Sequence, residues 1–427
     1  MRIGFVSTRL AGTDGVSLET RKWATLFERL GHEVCYCAGQ LERDGPPGQR
    51  VPEMHFNHPE VVWIHNHAFG TVEEAPDLRQ RITAMAERLH DNLARFVSVC
   101  QVDVLVAENA LAIPMNVPLG LALQQFIAET GIPTIAHHHD LWWERERFET
   151  HCIGDILEAA FPPRLPNICH VVINTLAQRR LREKLALESA LIPNIFDFSH
   201  AAPGMNGFAR DLRGTLGLTD EQIIILQPTR VIRRKGIERS IELVRRLRQA
   251  HNISRLLGKE PVLLITHRAG DEGLEYLHEL RRLARSADVP LIYAATRFAP
   301  RSNWQGQRKV YSLWDAYVHA DFVTYPSRHE GFGNALLEAI YFRLPIMINR
   351  YNVYVTDIAP LGLELIEIND EVTDEAVEAV IRSLIDPVHR RRIVEFNYSA
   401  ALEHFSYEAV MPKLEALLAR CAGRNDE

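Results

Sequence analysis

The sequence predicts an α/β protein with two doubly wound domains, each built on a parallel sheet, that face each other across a cleft. Short apolar runs alternate with helical patterns through all 427 residues, which is typical of parallel sheets covered by helices on both faces. Because a single core stops growing at about 250–300 residues, at least two domains are expected. Open parallel sheets bind ligands beyond the carboxyl ends of their strands, so two such domains predict a binding site in the cleft.

Six candidate strands and two helices lie in the first half of the chain. The strands are residues 2–7, 33–38, 61–65, 103–107, 133–137 and 170–173. The first helix carries an apolar stripe through Trp23, Phe27 and Leu30 and ends at Gly31, a frequent helix terminator. A second stripe at helical spacing runs over residues 82–96.

Five more candidate strands follow in the second half, again with helical patterns between them. They are residues 222–227, 261–266, 290–294, 322–325 and 345–349. Residues 198–207 are rich in Gly, Pro, Ala and Ser without any period, and we place the interdomain linker there. The predicted domains are residues 1–200 and 201–405, and residues 406–427 hold a last helix that can cross back onto the first domain.

Composition and charge exclude several classes of protein. The chain is 46% hydrophobic and 24% charged, which argues against extended disorder, and its net charge of −7 argues against a nucleic-acid-coating protein. The six cysteines are scattered and complete no zinc motif, so reduced thiols are expected. No signal peptide and no run of 18 apolar residues is recognisable, so we expect a soluble cytoplasmic protein without nucleic-acid partners.

The segment 325–338 is the most informative stretch. A strand ends at Tyr325, Gly331 and Gly333 allow a tight turn, and a helix is expected to begin near Gly333. Free amide groups at a helix amino terminus bind anions, and the carboxylates of Glu330 and Glu338 can accept hydrogen bonds from sugar hydroxyls. The alternative is an ordinary glycine-rich turn of an α/β protein with Glu338 exposed to solvent.

A basic loop follows the first strand of the second domain, at residues 227–236. Arg230 and Lys235 are expected at the carboxyl end of this strand, where a guanidinium and an ammonium can neutralise a diphosphate. Arg233 and Arg234 are interpreted as solvated. The alternative for the whole segment is a solvated basic loop.

Three consecutive histidines end a strand of the first domain. Strand alternation places His137 and His139 on one face, and His65 and His67 could add ligands, but the spacing matches no standard metal set. We therefore predict no metal site and a hydrogen-bonding histidine at the cleft. Near the amino terminus, the loop 12–15 lacks the G-x-G-x-x-G pattern, which argues against a nicotinamide enzyme.

In this order the motifs resemble the retaining glycosyltransferases of family four, also called glycosyl transferases group one. The resemblance rests on the amino-terminal glycine loop, the segments 31–34, 133–140 and 193–197, Arg230 to Gly236, and the pair Glu330 and Glu338 with seven residues between them. It implies the GT-B architecture of two Rossmann-like domains, with the acceptor on the first and a nucleotide sugar on the second.

The resemblance also implies roles for single residues. The implied donor-binding residues are Gly15, Arg230, Lys235, Glu330, Gly331, Phe332, Gly333, Asn334 and Glu338. The implied catalytic residues are His139, Arg230, Lys235 and Glu330. In the family picture Arg230 and Lys235 hold the diphosphate, Glu338 the ribose and Glu330 the transferred sugar near its 3-hydroxyl, while His139 faces the 6-hydroxyl and the reacting centre.

The resemblance implies a hexosyltransferase that uses a nucleoside-diphosphate sugar, with GDP-mannose or UDP-glucose as the expected donor. No Asp-x-Asp pair occurs in the chain, so no obligatory metal or other cofactor is expected. No carboxylate nucleophile is identifiable for a double displacement. Retention is therefore expected through attack on the same face of the sugar, with the departing phosphate taking the acceptor's proton.

The acceptor is expected to be small, hydroxyl-bearing and polar. Candidate contacts are Glu108, Asn109, Trp142 and Arg145, because tryptophan stacks on sugars and arginine pairs with anions. The string 137–145 resembles a subgroup that glycosylates small solutes such as glucosylglycerate. Alternatives are a lipid or cell-envelope glycan acceptor met by the basic helix 177–185, a nucleotide-sugar epimerase of similar fold, and a non-catalytic sugar-binding protein.

Overall fold

The computed structural model describes residues 1–12, 14–42, 45–270 and 273–423. The chain forms two compact units. The first unit comprises Met1–Ile195 and Tyr407–Glu427, and the second comprises Phe196–Ser406. Of the predicted last helix, residues 424–427 lie outside the described residues.

The first unit is a seven-stranded parallel sheet with helices packed against it. Its strands are β1 (Arg2–Ser7), β2 (Glu33–Ala38), β3 (Gly48–Arg50), β4 (Val104–Glu108), β5 (Thr134–His138), β6 (Ile168–Val172) and β7 (Ser189–Leu191). Its helices up to residue 185 are α1 (Gly15–Arg29), α2 (Pro59–Ala68), α3 (Leu78–Cys100), α4 (Val117–Thr130), α5 (Gly154–Ala160) and α6 (Thr175–Leu185).

The strand order of this sheet is β3-β2-β1-β4-β5-β6-β7, and every neighbouring pair is parallel. Strands β4, β5 and β6 are buried along their whole length, including the polar residues Glu108, His137 and His170. The chain reverses its direction of winding between β1 and β4. The carboxyl ends of these two strands therefore border the crevice where doubly wound sheets bind ligands.

The predicted strand at residues 61–65 is wrong, because this segment belongs to helix α2. Pro59 fits the first turn of a helix, and Val61, Ile64 and Ala68 are buried at helical spacing. A run of apolar and aromatic residues this short satisfies the strand and helix periods equally well. The error matters for function because His65 and His67 do not extend from a strand end.

The second unit contains a six-stranded sheet and a small three-stranded sheet. Its strands are β8 (Gln222–Gln227), β9 (Glu260–Ile265), β10 (Leu291–Tyr293), β11 (Phe298–Ala299), β12 (Asn303–Gln305), β13 (Arg308–Ser312), β14 (Phe322–Tyr325), β15 (Ile346–Asn349) and β16 (Ile366–Ile368). Its helices are α7 (Leu212–Thr215), α8 (Glu238–Leu247), α9 (Ala250–Arg255), α10 (Glu275–Ser286), α11 (Leu313–His319), α12 (Asn334–Tyr341), α13 (Asp374–Ile385) and α14 (Pro387–Phe405).

The large sheet of the second unit has the order β10-β9-β8-β14-β15-β16 and is parallel throughout. The small sheet has the order β11-β13-β12. Two parallel, helix-covered sheets confirm the predicted fold class. Winding reverses between β8 and β14 in this unit, so the loops after these strands border its crevice.

The last helix, α15 (Tyr407–Ala422), belongs to the first unit. Val410, Leu414 and Leu418 on this helix are buried in one apolar cluster with Ile3 and Phe5 of β1. Helix α15 therefore completes the apolar core that packs against β1.

Candidate functional site

In the second unit, the loops after β8 and β14 lie against each other. The loop after β8 makes a 3-10 turn over Arg233–Lys235 and passes through Gly236 with a φ of +60°. A Cβ atom on Gly236 would lie 2.4 Å from the carbonyl oxygen of Pro326, which follows β14. Glycine is therefore required both by the backbone conformation and by the close approach.

This approach brings Lys235 and Glu330 into direct contact. The Lys235 ammonium donates to Oε1 of Glu330, and Arg234 Nη1 lies 3.3 Å from Oε2 of the same carboxylate. Arg234 Nη1 also donates to the carbonyl oxygen of His329 at 2.9 Å. Lys235 and Glu330 are each 7% exposed. A cation and a carboxylate are thus held together, nearly buried, at the edge of the sheet.

The pair has strongly shifted pKa values. Burial lowers the pKa of Lys235 to about 8, with Arg234 and Arg230 acting in the same direction and Glu330 opposing them. Burial alone would raise the pKa of Glu330, but Lys235 and Arg234 outweigh it and hold that pKa at about 2. Strongly perturbed groups beside a ligand crevice are typical of functional sites.

His267 is a member of this site that sequence reasoning missed. It follows β9 and accordingly ends at the same edge of the sheet. Its pKa is lowered to about 4 by burial and by the charges of Lys235 and Arg230. A single histidine forms no recognisable motif. The feature of the sequence that points to His267 is its position just after β9, the strand next to β8.

The glycine turn after β14 leads into α12 as predicted. Gly331 is part of the turn, and Gly333 has a φ of +139° and precedes Asn334, the first residue of the helix. A Cβ on Gly333 would lie 2.9 Å from the hydroxyl oxygen of Tyr351. This hydroxyl donates to the carbonyl oxygen of Phe332 at 2.6 Å and so fixes the turn from outside.

Glu338 lies on α12, one turn into the helix, and is partly buried. Its Oε2 accepts a hydrogen bond of 2.9 Å from the hydroxyl of Tyr317, whose side chain is buried. The carboxylate is therefore held by a second helix, α11, and does not extend freely into solvent. Sequence reasoning did not identify Tyr317, which has no spacing relation to Glu338.

In the first unit, the structure brings Glu108, His137 and His139 together at the carboxyl ends of β4 and β5. Oε2 of Glu108 lies 3.1 Å from Nδ1 of His137 and 3.1 Å from Nε2 of His139. The His137 ring stacks on Trp23 with 4.0 Å between ring centroids. Strand alternation is as predicted, because His138 lies on the other face and contacts His170 at 2.9 Å.

The charges in this cluster are arranged so that the carboxylate stays ionised. Burial would raise the pKa of Glu108, but His137 and His139 outweigh it and hold that pKa at about 2. Burial lowers the pKa of His137. Burial would also lower the pKa of His139, yet its hydrogen bond to Glu108 leaves that pKa above its usual value. Of these two histidines, His139 is therefore the one whose protonated form the cluster favours.

Glu108, His137 and His139 are also, within the described ranges, a group whose ligand atoms could hold one metal ion. These atoms lie within 4.8 Å of one another. The other histidines considered from the sequence lie elsewhere: Nδ1 of His67 lies 2.8 Å from the carbonyl oxygen of Trp63. In the structure Oε2 of Glu108 contacts one ring nitrogen of each histidine, and Nε2 of His137 is buried with no hydrogen-bond partner among the described residues. That no metal is bound here stays a prediction.

The residues expected to contact an acceptor have protein partners. Glu108 is fully buried beneath the two histidines, so its carboxylate is not exposed to a ligand. Oδ1 of Asn109 accepts from the backbone N–H of His139 at 3.0 Å. Trp142 donates to the carbonyl oxygen of Phe161 at 2.9 Å, and Nη2 of Arg145 lies 2.6 Å from Asp140.

Gly15 is the exposed first residue of α1, next to Asp14, which accepts from the backbone N–H of Ser17 at 3.1 Å. The loop before it includes Thr13, which lies outside the described residues. Gly15 thus lies exposed at a helix amino terminus, and its contact with a phosphate stays a prediction.

The basic helix considered for lipid contact is α6. Arg180 pairs with Glu144, and Nη2 of Arg182 lies 2.8 Å from Glu188. Two of its cations therefore have carboxylate partners. Among the described residues, no helix has both the length and the apolarity needed to cross a membrane.

Comparison with known proteins gives a family match within the second unit and relatives that match nearly the whole chain. The family described as glycosyl transferases group 1 matches residues 209–400. The mannosylglucosylglycerate synthase of Thermotoga maritima is 34% identical, covering 98% of this chain and 99% of its own. The synthase of the same name from Petrotoga mobilis is 31% identical, covering 92% and 96%.

Solved structures show the same fold at low identity. Sucrose-phosphate synthase from Thermosynechococcus elongatus gives a TM-score of 0.66 at 16% identity and covers 98% of both chains. HepE from Anabaena, in complex with UDP-glucose, gives 0.63 at 14% identity and covers 98% of this chain and 100% of its own. Both likenesses extend over both units.

Proposed function

The chain belongs to the glycosyl transferases group 1 family, and from this premise we propose that it transfers a mannosyl group from a nucleoside-diphosphate sugar to glucosylglycerate. It is a hexosyltransferase of GT-B fold. The observation that carries the substrate proposal is the match over 98% of the chain to a curated mannosylglucosylglycerate synthase. The acceptor of this proposal is a small polyol glycoside with one carboxylate.

The second unit is proposed to bind the donor. Lys235 and Arg230 would neutralise the diphosphate, the amide groups at the start of α12 would face its oxygens, and Glu338 would accept hydrogen bonds from the ribose. These roles are supported by the position of the residues at the crevice between β8 and β14. GDP-mannose is the donor we propose first, and UDP-glucose is the second candidate.

Lys235 and Glu330 exchange partners in this proposal. Their contact is made within the protein, and an entering diphosphate offers Lys235 a second anion. The carboxylate of Glu330 can then accept hydrogen bonds from the hydroxyls of the transferred sugar, as the family resemblance implies for its 3-hydroxyl. Before the donor binds, the pair would hold both charges in place and largely shielded from water. This shielding strengthens the interaction of each charge with the donor.

The reaction breaks the bond between the anomeric carbon and the diphosphate oxygen. The bonding electrons leave with the diphosphate, and Lys235, Arg230 and the α12 amides stabilise the charge that develops there. An acceptor hydroxyl oxygen attacks the anomeric carbon on the face that the diphosphate leaves, and its proton passes to a departing phosphate oxygen. The configuration of the sugar is thereby retained. His139 is proposed to contact the 6-hydroxyl of the sugar.

The proposal is tested by incubating the protein with glucosylglycerate and each of GDP-mannose, UDP-glucose and ADP-glucose. We expect transfer from GDP-mannose and an α-linked product by nuclear magnetic resonance, with undiminished rate in excess chelator. Formation of a β-linked product would exclude retention. Conversion of the donor to an epimer without acceptor would show an epimerase, and transfer only to lipid-linked acceptors would replace the small-acceptor proposal.

A further inference from the structure

Two consecutive residues at the end of β4 hold His139 at two different points. Glu108 contacts the imidazole, with Oε2 3.1 Å from Nε2. Asn109 contacts the backbone, with Oδ1 3.0 Å from the N–H of His139. The backbone N–H of Asn109 in turn donates to the carbonyl oxygen of His137 at 2.9 Å. The ring and the main chain of His139 are thus both tied to the neighbouring strand.

The geometry also fixes which nitrogen of His139 carries a proton toward Glu108. An ionised carboxylate only accepts hydrogen bonds, so Nε2 of His139 must be protonated to make this contact. The carboxylate itself cannot turn away. Its oxygens also contact Nδ1 of His137 at 3.1 and 3.2 Å, and the His137 ring is stacked on Trp23.

The two rings that contact Glu108 differ in exposure. A fully buried carboxylate needs hydrogen-bond donors in contact with it. Among the described residues, the side chains that contact the Glu108 carboxylate are those of His137 and His139. His137 is completely buried, whereas His139 reaches the surface with 7% of its area exposed. His139 is therefore the ring of the pair that a ligand can reach.

We propose that Glu108 and Asn109 are positioning residues that fix the ring and the backbone of His139 where this histidine contacts the reacting sugar. This inference rests on the proposed function, because the contact of His139 with the sugar is part of it. It replaces the expectation that Glu108 and Asn109 themselves contact the acceptor. Since Nε2 of His139 donates to Glu108, the nitrogen left for the sugar is Nδ1, and His139 would orient the sugar through it.

The structure offers variants that separate the two contacts. Glu108→Gln keeps the shape of the side chain but removes the charge. Asn109→Gly deletes the acceptor of the His139 backbone bond, and because Asn109 has a φ of +57°, glycine adopts the backbone more readily. Asn109→Asp restores an oxygen at the same place. His138→Gln is the matched control, since it breaks a fully buried histidine contact on the opposite face of β5.

The test measures kcat with GDP-mannose and glucosylglycerate, donor Kd by calorimetry, and thermal melting for every variant. We expect Glu108→Gln and Asn109→Gly to lower kcat by roughly tenfold or more while donor Kd changes less than about twofold. Asn109→Asp should recover most of what Asn109→Gly loses. His138→Gln should lower the melting temperature with kcat close to that of the unmodified protein.

Each other result overturns the inference. Unchanged kcat in Glu108→Gln and Asn109→Gly would show that His139 needs no such support. A loss shared equally by His138→Gln would show a merely structural effect. One equivalent of metal in the purified protein, with chelator lowering kcat as far as Glu108→Gln does, would show that the cluster holds an ion. Absence of any transfer by the unmodified protein would instead contradict the proposed function.

Discussion

At the scale of single residues, Lys235 is the proposed ligand of the donor diphosphate, and its charge depends on pH. Its folded-state pKa of about 8 lies below the usual range, because burial, Arg234 and Arg230 outweigh the attraction of Glu330. The ammonium is therefore present below pH 8 and is lost as the pH rises through that value. A diphosphate binds the charged form, so its affinity must fall in the same range.

We predict that donor Kd is constant below about pH 7 and rises about tenfold per pH unit well above pH 8. Calorimetric titration with GDP-mannose across this range measures it. Lys235→Arg, which stays charged, should remove the dependence. An equally steep dependence in Lys235→Arg would assign the titration to another group.

Lys235→Ala and Glu330→Ala should each lower turnover by roughly tenfold or more without unfolding the chain.

Glu338 supports a second prediction. Its carboxylate is oriented by the hydroxyl of Tyr317 at 2.9 Å. Glu338→Ala should weaken nucleotide binding by about tenfold, because a charged acceptor for two ribose hydroxyls is lost. Tyr317→Phe should weaken it less, since the carboxylate remains but turns more freely. The affinities of both variants for GDP and for the free base are measured. The base alone lacks the ribose, so its affinity should not change, whereas the affinity for GDP should fall.

Sequence reasoning could identify residues that follow strands but not their contacts. Lys235 and Glu330 were placed in one site because each comes after a strand of the same sheet, and they prove to be in direct contact. Tyr317 beneath Glu338, and the burial of Glu108 beneath His139, were not predicted. Contacts between side chains of different elements depend on packing, which has no period in the sequence.

At the scale of elements, Gly236 is the residue at which the loop after β8 closely approaches the loop after β14. Gly236→Ala should place a Cβ against Pro326 and add strain from the positive φ. We predict a loss of donor affinity of roughly tenfold or more from displacement of Lys235. Gly217→Ala is the control, because Gly217 has a φ of +72° but no atom within 4 Å of its added Cβ. Similar donor affinity in the two variants would contradict the prediction.

Most strands inside the two large sheets were predicted well, whereas several short strands at the sheet edges were not. Strands β1, β2, β8 and β14 have the predicted bounds. Strands β3, β7 and β16 have three residues each and lie at or next to sheet edges, where few apolar side chains need burial. The segment now seen as α2 was predicted as a strand because its aromatic and β-branched residues favour one, while Pro59 and tertiary packing decide for the helix.

At the scale of the whole molecule, each unit contains a buried carboxylate that is ionised at neutral pH. Glu108 and Glu330 both have folded-state pKa values of about 2, below the usual value of 4.5. A lowered pKa of this kind stabilises the fold above about pH 4.5, and the contribution is lost as the pH falls towards 2. Acid should therefore destabilise both units in the same range.

We predict that the urea midpoint of unfolding falls steeply between about pH 4.5 and 3, and that Glu108→Gln makes the fall shallower. The variant should be less stable than the unmodified protein at pH 7 and approach it at pH 3. Replacement of the exposed Glu87 by Gln serves as the control. Parallel curves for Glu108→Gln and the unmodified protein would show that Glu108 does not drive acid unfolding.

The first unit is assembled from both ends of the chain, and this has a consequence during biosynthesis. Residues 196–406 form a continuous segment and hold all they need to fold as they leave the ribosome. The sheet made by residues 1–195 must wait for Val410, Leu414 and Leu418 to cover its apolar face. The nascent polypeptide therefore finishes the part made first only after residues 196–406 have been synthesised, and a premature stop before residue 407 leaves that face open to aggregation.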